Sequence, residues 1–185
     1  DLRGINMDYD KELVARKLRR WEKFLTNYTL PSWEELPSLD LYMDQVIVLL
    51  SQHLNFLPRE DHNDKIITAS IINNYVRMHI IPPPVKKKYS KIHMAYLIMI
   101  CTLKQSLNIA YVQNIIPIGL EEEEVKTIYN GFVEKHRDIS AAFVSSIRAS
   151  AADILDNDNH DPMTVNSFVI ETAIISNLCK LLTEK

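Results

Sequence analysis

Residues 68–91 read Thr-Ala-Ser-Ile-Ile-Asn-Asn-Tyr-Val-Arg-Met-His-Ile-Ile-Pro-Pro-Pro-Val-Lys-Lys-Lys-Tyr-Ser-Lys, and the fold turns on how this stretch divides. Thr68 suits a helix N-cap, because its hydroxyl can accept one of the backbone N–H groups that a first turn leaves unpaired. Ile71, Ile72, Tyr75 and Val76 step by one, three and one, the repeat of a single core-facing stripe. Ser70, Asn73, Asn74 and Arg77 fall on the opposite side, a face of hydrogen-bonding groups without a carboxylate. Pro82-Pro83-Pro84 stops the helix, since each proline lacks a backbone donor and disfavours helix in the residue before it. The spacing predicts a helix over 68–79, then an extended arm or hairpin over 85–89. In an extended arm, Lys86 and Lys88 point one way and Val85, Lys87 and Tyr89 the other.

Charge sharpens this reading. From Lys65 to Leu120 there is no Asp or Glu, but there are seven basic residues: Lys65, Arg77, Lys86, Lys87, Lys88, Lys91 and Lys104. The chain is −3 overall, and outside this stretch it holds 14 basic against 24 acidic residues. A carboxylate-free patch in an acidic protein suits a phosphate-facing surface. Asn can bond adenine N6/N7 and Arg can bond guanine O6/N7, each good pair giving about 1–3 kcal/mol of discrimination. Lysines on a rigid support contact phosphate without reading sequence. The candidate base contacts are therefore Ser70, Asn73, Asn74 and Arg77. The candidate phosphate contacts are Thr68, Tyr75, Lys86, Lys87, Lys88, Tyr89 and Lys91. The competing readings are a neutral polar helix face and a solubilising lysine run.

Working outward, 185 residues with three glycines and 46% apolar side chains argue for helices that bury a real core rather than for a many-stranded sheet. Cys101 and Cys179 lie in apolar helical patterns without metal-ligand spacing, which fits buried thiols in a reducing compartment. No signal peptide is seen. The longest apolar run, Met94 to Cys101, is too short to span a bilayer, so a soluble, cytoplasmic protein with no membrane partner is expected. Met7 reads as an initiator, and Asp1 to Asn6 are given no role.

Asp10 to Leu25 forms an expected first helix capped by Asp8 or Asp10. Leu13, Val14, Leu18, Trp21, Phe24 and Leu25 make its apolar stripe. Arg16, Lys17, Arg19, Arg20 and Lys23 make a face that is either solvated or phosphate-contacting. Trp33 and Leu36, between Pro31 and Pro37, read as core plugs in a linker. Leu39 to Leu54 is the next helix, capped by Asp40, followed by a polar loop to Lys65. Ser90 caps a helix to about Leu107, apolar almost all round and hence central. Asn108 caps a short helix, Ile109 to Ile116, which Pro117 and Gly119 end.

Glu121 to Glu124 sit at a helix start, where the helix dipole favours anions. The periodic Val125, Ile128, Tyr129, Phe132, Ile139, Phe143, Ile147 and Ile154 give one helix to about Leu155, or two with a break near 136–140. Asp156 to Asp161 is expected as an acidic turn. It resembles half a calcium loop without the turn Gly and closing Glu. Asp161 and Pro162 open a last helix with Val165, Phe168, Val169, Ala173, Ile174 or Ile175, Leu178 and Leu182 inward.

The order Thr68, Asn-Tyr-Val-Arg, Ile-Ile-Pro-Pro, Lys-Lys-Tyr-Ser, Leu-Ile-Met-Ile and Val-Gln-Asn-Ile-Ile resembles the winged helix-turn-helix of MerR-type transcription regulators. Tyr75 matches the helix tyrosine of that pattern, Ile80 to Pro83 the turn into the wing, and Lys87 with Tyr89 the basic-aromatic wing residues. The chain departs from the pattern in four places, one of them the long loop that separates helix one, Leu39 to Leu54, from helix two. Asn73 stands for the usual recognition-helix Arg, His79 for the Gly after that helix, and the wing is shorter. Leu39 to Gln45, Ile72 to Tyr75 and Pro83 to Tyr89 also resemble a bacterial family known only as a domain of unknown function, over most of Leu30 to Ile116. These resemblances imply an all-α winged helix-turn-helix (MerR-like) fold with a minimal β wing, divided as 7–38 (helix and linker), 39–119 (DNA-binding) and 120–185 (helical dimerisation or effector region). They imply a dimeric, sequence-specific regulator of transcription on double-stranded DNA, with any small-molecule effector left open. The aromatics Tyr129, Phe132, Phe143 and Phe168 read as core rather than as an effector pocket. No residue set combines nucleophile, base and oxyanion character, so no enzyme, cofactor or metal is expected. Two other readings stand beside this one: a protein-interaction module whose basic patch meets an acidic partner, and a metal-dependent helical hydrolase using His62, Asp64, His160 or Asp161.

Overall fold

The computed structural model describes residues 11–57, 66–156 and 162–183. In order these form α1 (Lys11–Asn27), β1 (Leu41–Tyr42), α2 (Met43–His53), α3 (Ala69–Arg77), β2 (Lys88–Tyr89), α4 (Lys91–Leu103), α5 (Ile109–Ile115), α6 (Glu122–Ser150), α7 (Ala152–Leu155) and α8 (Pro162–Thr183). The protein is mostly helical, as expected. It divides into two compact units: Leu30–His136, and the described residues of 1–29 with 137–185. The helix α6 contributes its first half to one unit and its second half to the other.

The Leu30–His136 unit is built around α4. Every residue from His93 to Cys101 is buried, so the helix has no solvent side and is the centre that composition predicted. Buried with it are Val46, Leu50 and Leu54 from α2 and its end, Ile72 and Tyr75 from α3, and Ile80, Ile81 and Tyr89 from the segment between α3 and α4. The linker plugs are where the sequence puts them, with Trp33 and Leu36 buried. Tyr129 on α6 holds that linker: its hydroxyl donates to the Pro31 carbonyl at 2.8 Å. Its ring meets Trp33 edge-on at 6.3 Å, and Asn130 Oδ1 accepts the Trp33 backbone N–H at 3.0 Å.

The helix expected over 39–54 starts later. Leu41 and Tyr42 are extended and pair antiparallel with Tyr89 and Lys88. The start is set by Gln45, not by Asp40: its Oε1 accepts the Tyr42 backbone N–H at 2.9 Å. The apolar pattern of Leu39 and Leu41 runs on into α2, which hid the strand. The stretch from 121 to 155 is two helices, and the break falls at Ala151 rather than near His136.

In the other unit, Ala15, Ile147, Ala151, Ile154, Leu155, Val165 and Phe168 form a core, with Val14, Leu18 and Trp21 packed against it. Trp21 meets Phe143 edge-on at 5.8 Å. Arg19, from the basic face of α1, donates from Nη2 to the Leu155 carbonyl at 2.6 Å and so closes the C-terminal end of α7. That one guanidinium is structural. The expected inward stripe of α8 is corrected: Val165 and Phe168 are buried, but Val169, Ile174, Leu178 and Leu182 are exposed. The buried residues of α8 lie in its first turns, where Val165 and Phe168 join Ala15 of α1 and Ile154 and Leu155 of α7. Apolar composition marks a sticky surface, not which side of it is covered. Over Met163–Thr183 this helix is also long and apolar enough, by length and composition alone, to cross a membrane.

Candidate nucleic-acid interface

The helix α3 is closed at both ends by its own sequence. Thr68 Oγ1 accepts the Ile71 N–H at 3.3 Å, the expected cap. At the other end, His79 N–H reaches the Val76 carbonyl at 3.1 Å and Ile80 N–H the Tyr75 carbonyl at 2.9 Å. This double bond pattern is a Schellman end, which needs a left-handed residue after the last turn. His79 takes that conformation, with φ 53°, where glycine would be the usual residue. Ile80 then returns to the core.

With its ends fixed, α3 turns Ile72 and Tyr75 inward and leaves Ser70, Asn73 and Arg77 exposed, with Asn74 half-buried. Arg77 Nη2 donates to Asn74 Oδ1 at 2.5 Å, so the guanidinium is held along the helix face. These residues and Lys104, which follows α4, line an open hollow of about 750 Å³. All four candidate base-reading side chains thus share one surface with a second cation and no carboxylate on its lining.

The lysine arm differs from the expected alternation. Val85 and Lys88 exchange both backbone hydrogen bonds, at 3.1 and 2.9 Å, which makes Lys86 and Lys87 the two central residues of a tight hairpin turn. Both have positive φ, 49° and 64°, the conformation that a two-residue hairpin needs and that normally selects Asn-Gly. Lys86 and Lys87 are exposed at the tip. Lys88 Nζ sits over the Tyr42 ring at 5.1 Å, a cation–π contact across the β1–β2 pair.

The arm is anchored by His93. Its Nδ1 accepts the Ser90 backbone N–H at 3.0 Å, and Nε2 faces the Pro83 carbonyl at 3.4 Å. The ring is therefore neutral, with its proton on Nε2. Burial lowers its pKa, against smaller raising effects from the Pro83 and Pro82 carbonyls and the Asp40 carboxylate. Asp40 shows that the surroundings of the arm are not wholly free of acids in space, although the sequence from 65 to 120 is.

Of the phosphate-contact candidates, two are buried and two others are engaged locally. Tyr75 and Tyr89 are buried, and burial raises the pKa of both phenols. Their rings are core, since an aromatic with a polar tip suits either place. Thr68 uses its hydroxyl on the Ile71 N–H. Lys91 Nζ lies over the Trp33 ring at 5.3 Å and is close enough to Glu34 to lower that carboxyl's pKa, after the larger effect of Lys126. Lys86, Lys87 and Lys88 remain as the cationic arm, and Lys104 is a cation beside α3 that the sequence reading did not assign to the face. Its spacing, beyond a whole helix, gave no local signal.

Among the described residues there is no cluster of three or more His, Cys, Asp or Glu suited to a metal. His62, Asp64, His160 and Asp161 lie outside the described residues. Burial pushes the Cys101 thiol up to about 12, and Cys179 is exposed rather than buried.

Comparison with curated proteins and with solved structures returned no match. One family model spans residues 31–132, from the Trp33 linker through the first half of α6. It takes in β1, α2, α3, the lysine arm, α4 and α5 whole. The chain belongs to the family described as a domain of unknown function, DUF1836.

Proposed function

We propose that this chain is a sequence-specific regulator of transcription that binds double-stranded DNA as a dimer, through a winged helix-turn-helix of MerR type. In this reading α3 enters the major groove and the Lys86–Lys87 turn is the wing on the backbone. The observation that carries it is the outer face of α3. Ser70, Asn73 and Arg77 are exposed beside Asn74 and Lys104 with no carboxylate among them. An ordinary solvated helix face mixes Glu with Lys for pairing along the helix. A base-reading face instead needs neutral amides and guanidinium. The order β1, α2, α3, hairpin turn and β2 further supports a wing packed next to a two-helix reader.

The test is selection of bound duplexes from a random pool, followed by affinity on selected and scrambled DNA. Wild type should recover a palindrome, because a two-fold dimer reads two half-sites. Asn73→Ala and Arg77→Ala should each cost about 1–3 kcal/mol on the selected duplex and little on the scrambled one. Lys87→Ala with Lys88→Ala should weaken all duplexes alike. Equal losses on both duplexes for Arg77→Ala would rule out base reading, and preference for an acidic protein over any duplex would favour an interaction module.

A further inference from the structure

We infer that the outer face of α8 is where two copies of this chain meet. This contact presupposes the dimer proposed above and locates it on one helix. The side of α8 that packs within its unit carries Val165 and Phe168. Almost opposite them run Met163, Ile170, Ile174 and Leu181, 69, 59, 55 and 57% exposed, flanked by Leu178 at 56% and Leu182 at 83%. Together these leave roughly 600 Å² of apolar surface on one helix, the upper end for a monomer's largest patch and close to the ~800 Å² each partner gives a standard interface.

The pattern along the helix selects another helix as the occupant. Met163, Ile170 and Asn177 repeat every seven residues, and so do Ser167, Ile174 and Leu181, offset by four. Two such interleaved columns are the seam of a paired helix, and an Asn within one restricts its register. A two-fold contact places like against like and needs no second kind of chain.

A lipid bilayer fits less well. Although α8 is long enough to span one, Asn166, Glu171, Ser176 and Lys180 are spread around it, outside the seam. Hydrocarbon would leave these groups without partners, whereas a helix pair keeps them in water at its margins. Glu171 is moreover tied to α6, its Oε1 accepting from Ser150 Oγ at 2.7 Å.

Sedimentation equilibrium of the full chain decides this. Wild type should have the mass of two chains. Ile170→Asp with Ile174→Asp should sediment as one chain with an unchanged circular dichroism spectrum. Leu181→Lys, in the exposed last turns, should weaken association at least tenfold and serves if the double variant misfolds. Arg77→Ala should remain a dimer, so loss of base reading is told apart from loss of association. A wild-type mass of one chain at tens of micromolar overturns both the dimer and this surface. A dimer that survives these substitutions overturns the α8 contact alone. Flotation of a monomeric wild type with phosphatidylcholine vesicles, abolished by the same substitutions, would assign the face to lipid instead.

Discussion

Replacing Lys86 and Lys87 by Asn and Gly should make the protein more stable and, on the proposed DNA-binding reading, weaken its hold on DNA at once. Both lysines hold positive φ, and a side chain in that region costs roughly 1–2 kcal/mol per residue. Asn and Gly occupy the two positions with little strain. Glycine returns part of the gain, about 0.5–1 kcal/mol, through the greater freedom of the unfolded chain. A net stabilisation of about 1–3 kcal/mol remains, or roughly 5–15 °C for a unit of this size. Trp33 lies in the same unit as the turn and Trp21 in the other. A Trp21→Phe background therefore lets fluorescence follow the relevant unit in urea. If the two lysines each meet a phosphate, the slope of log affinity against log salt should flatten by about 1.8. A variant that is less stable than its parent would refute the strain argument. A variant with an unchanged salt slope would remove the turn from the interface. Strain retained where a stabilising substitution is available is what a functional position shows.

Three further outcomes are expected. Tyr129→Phe should destabilise the Leu30–His136 unit by about 1–3 kcal/mol, because the Pro31 carbonyl loses the phenol that reaches it; a loss under a few tenths in urea denaturation would contradict that. Burial lowers the pKa of His93, His53 and His136 below 6.5, so the unfolded chain binds protons first. Stability should be full above pH 6.5 and fall as pH drops from there towards the folded values, and a urea midpoint that stays flat or rises between pH 7.5 and 5 would disprove it. A thiol reagent on the native protein should modify the exposed Cys179 and spare Cys101, whose thiol is both buried and held up to about 12, with mass spectrometry before and after denaturation as the check.

Local chemistry made much of α3 legible: Thr68 names its start and Ile72 and Tyr75 its inner side, but its end is set by the left-handed His79 and not by the prolines, which come later. The same logic found the caps at Ser90 and Asn108 and the central place of α4. What it missed depended on partners distant in sequence. The strand at Leu41–Tyr42 exists because Lys88 and Tyr89 arrive beside it, and its residues continue the apolar pattern of α2. The turn at Lys86–Lys87 carries no Asn or Gly to announce it. Tyr89 could have served core or surface equally well, and only packing decides. Lys104 joins the α3 face across a whole helix. The C-terminal helix showed its apolar content but not which side its unit would cover.

The enclosure of α4 has a kinetic consequence. A helix with one wet side can fray or swing out while the remainder stays folded. From His93 to Cys101 this one has none, so its amides can meet deuterium only when the surrounding unit comes apart. Those nine positions should be the slowest to exchange in the Leu30–His136 unit, all at one common rate. That rate would track the unit's global opening, giving a direct reading of how firmly α3 and the lysine turn are held from behind.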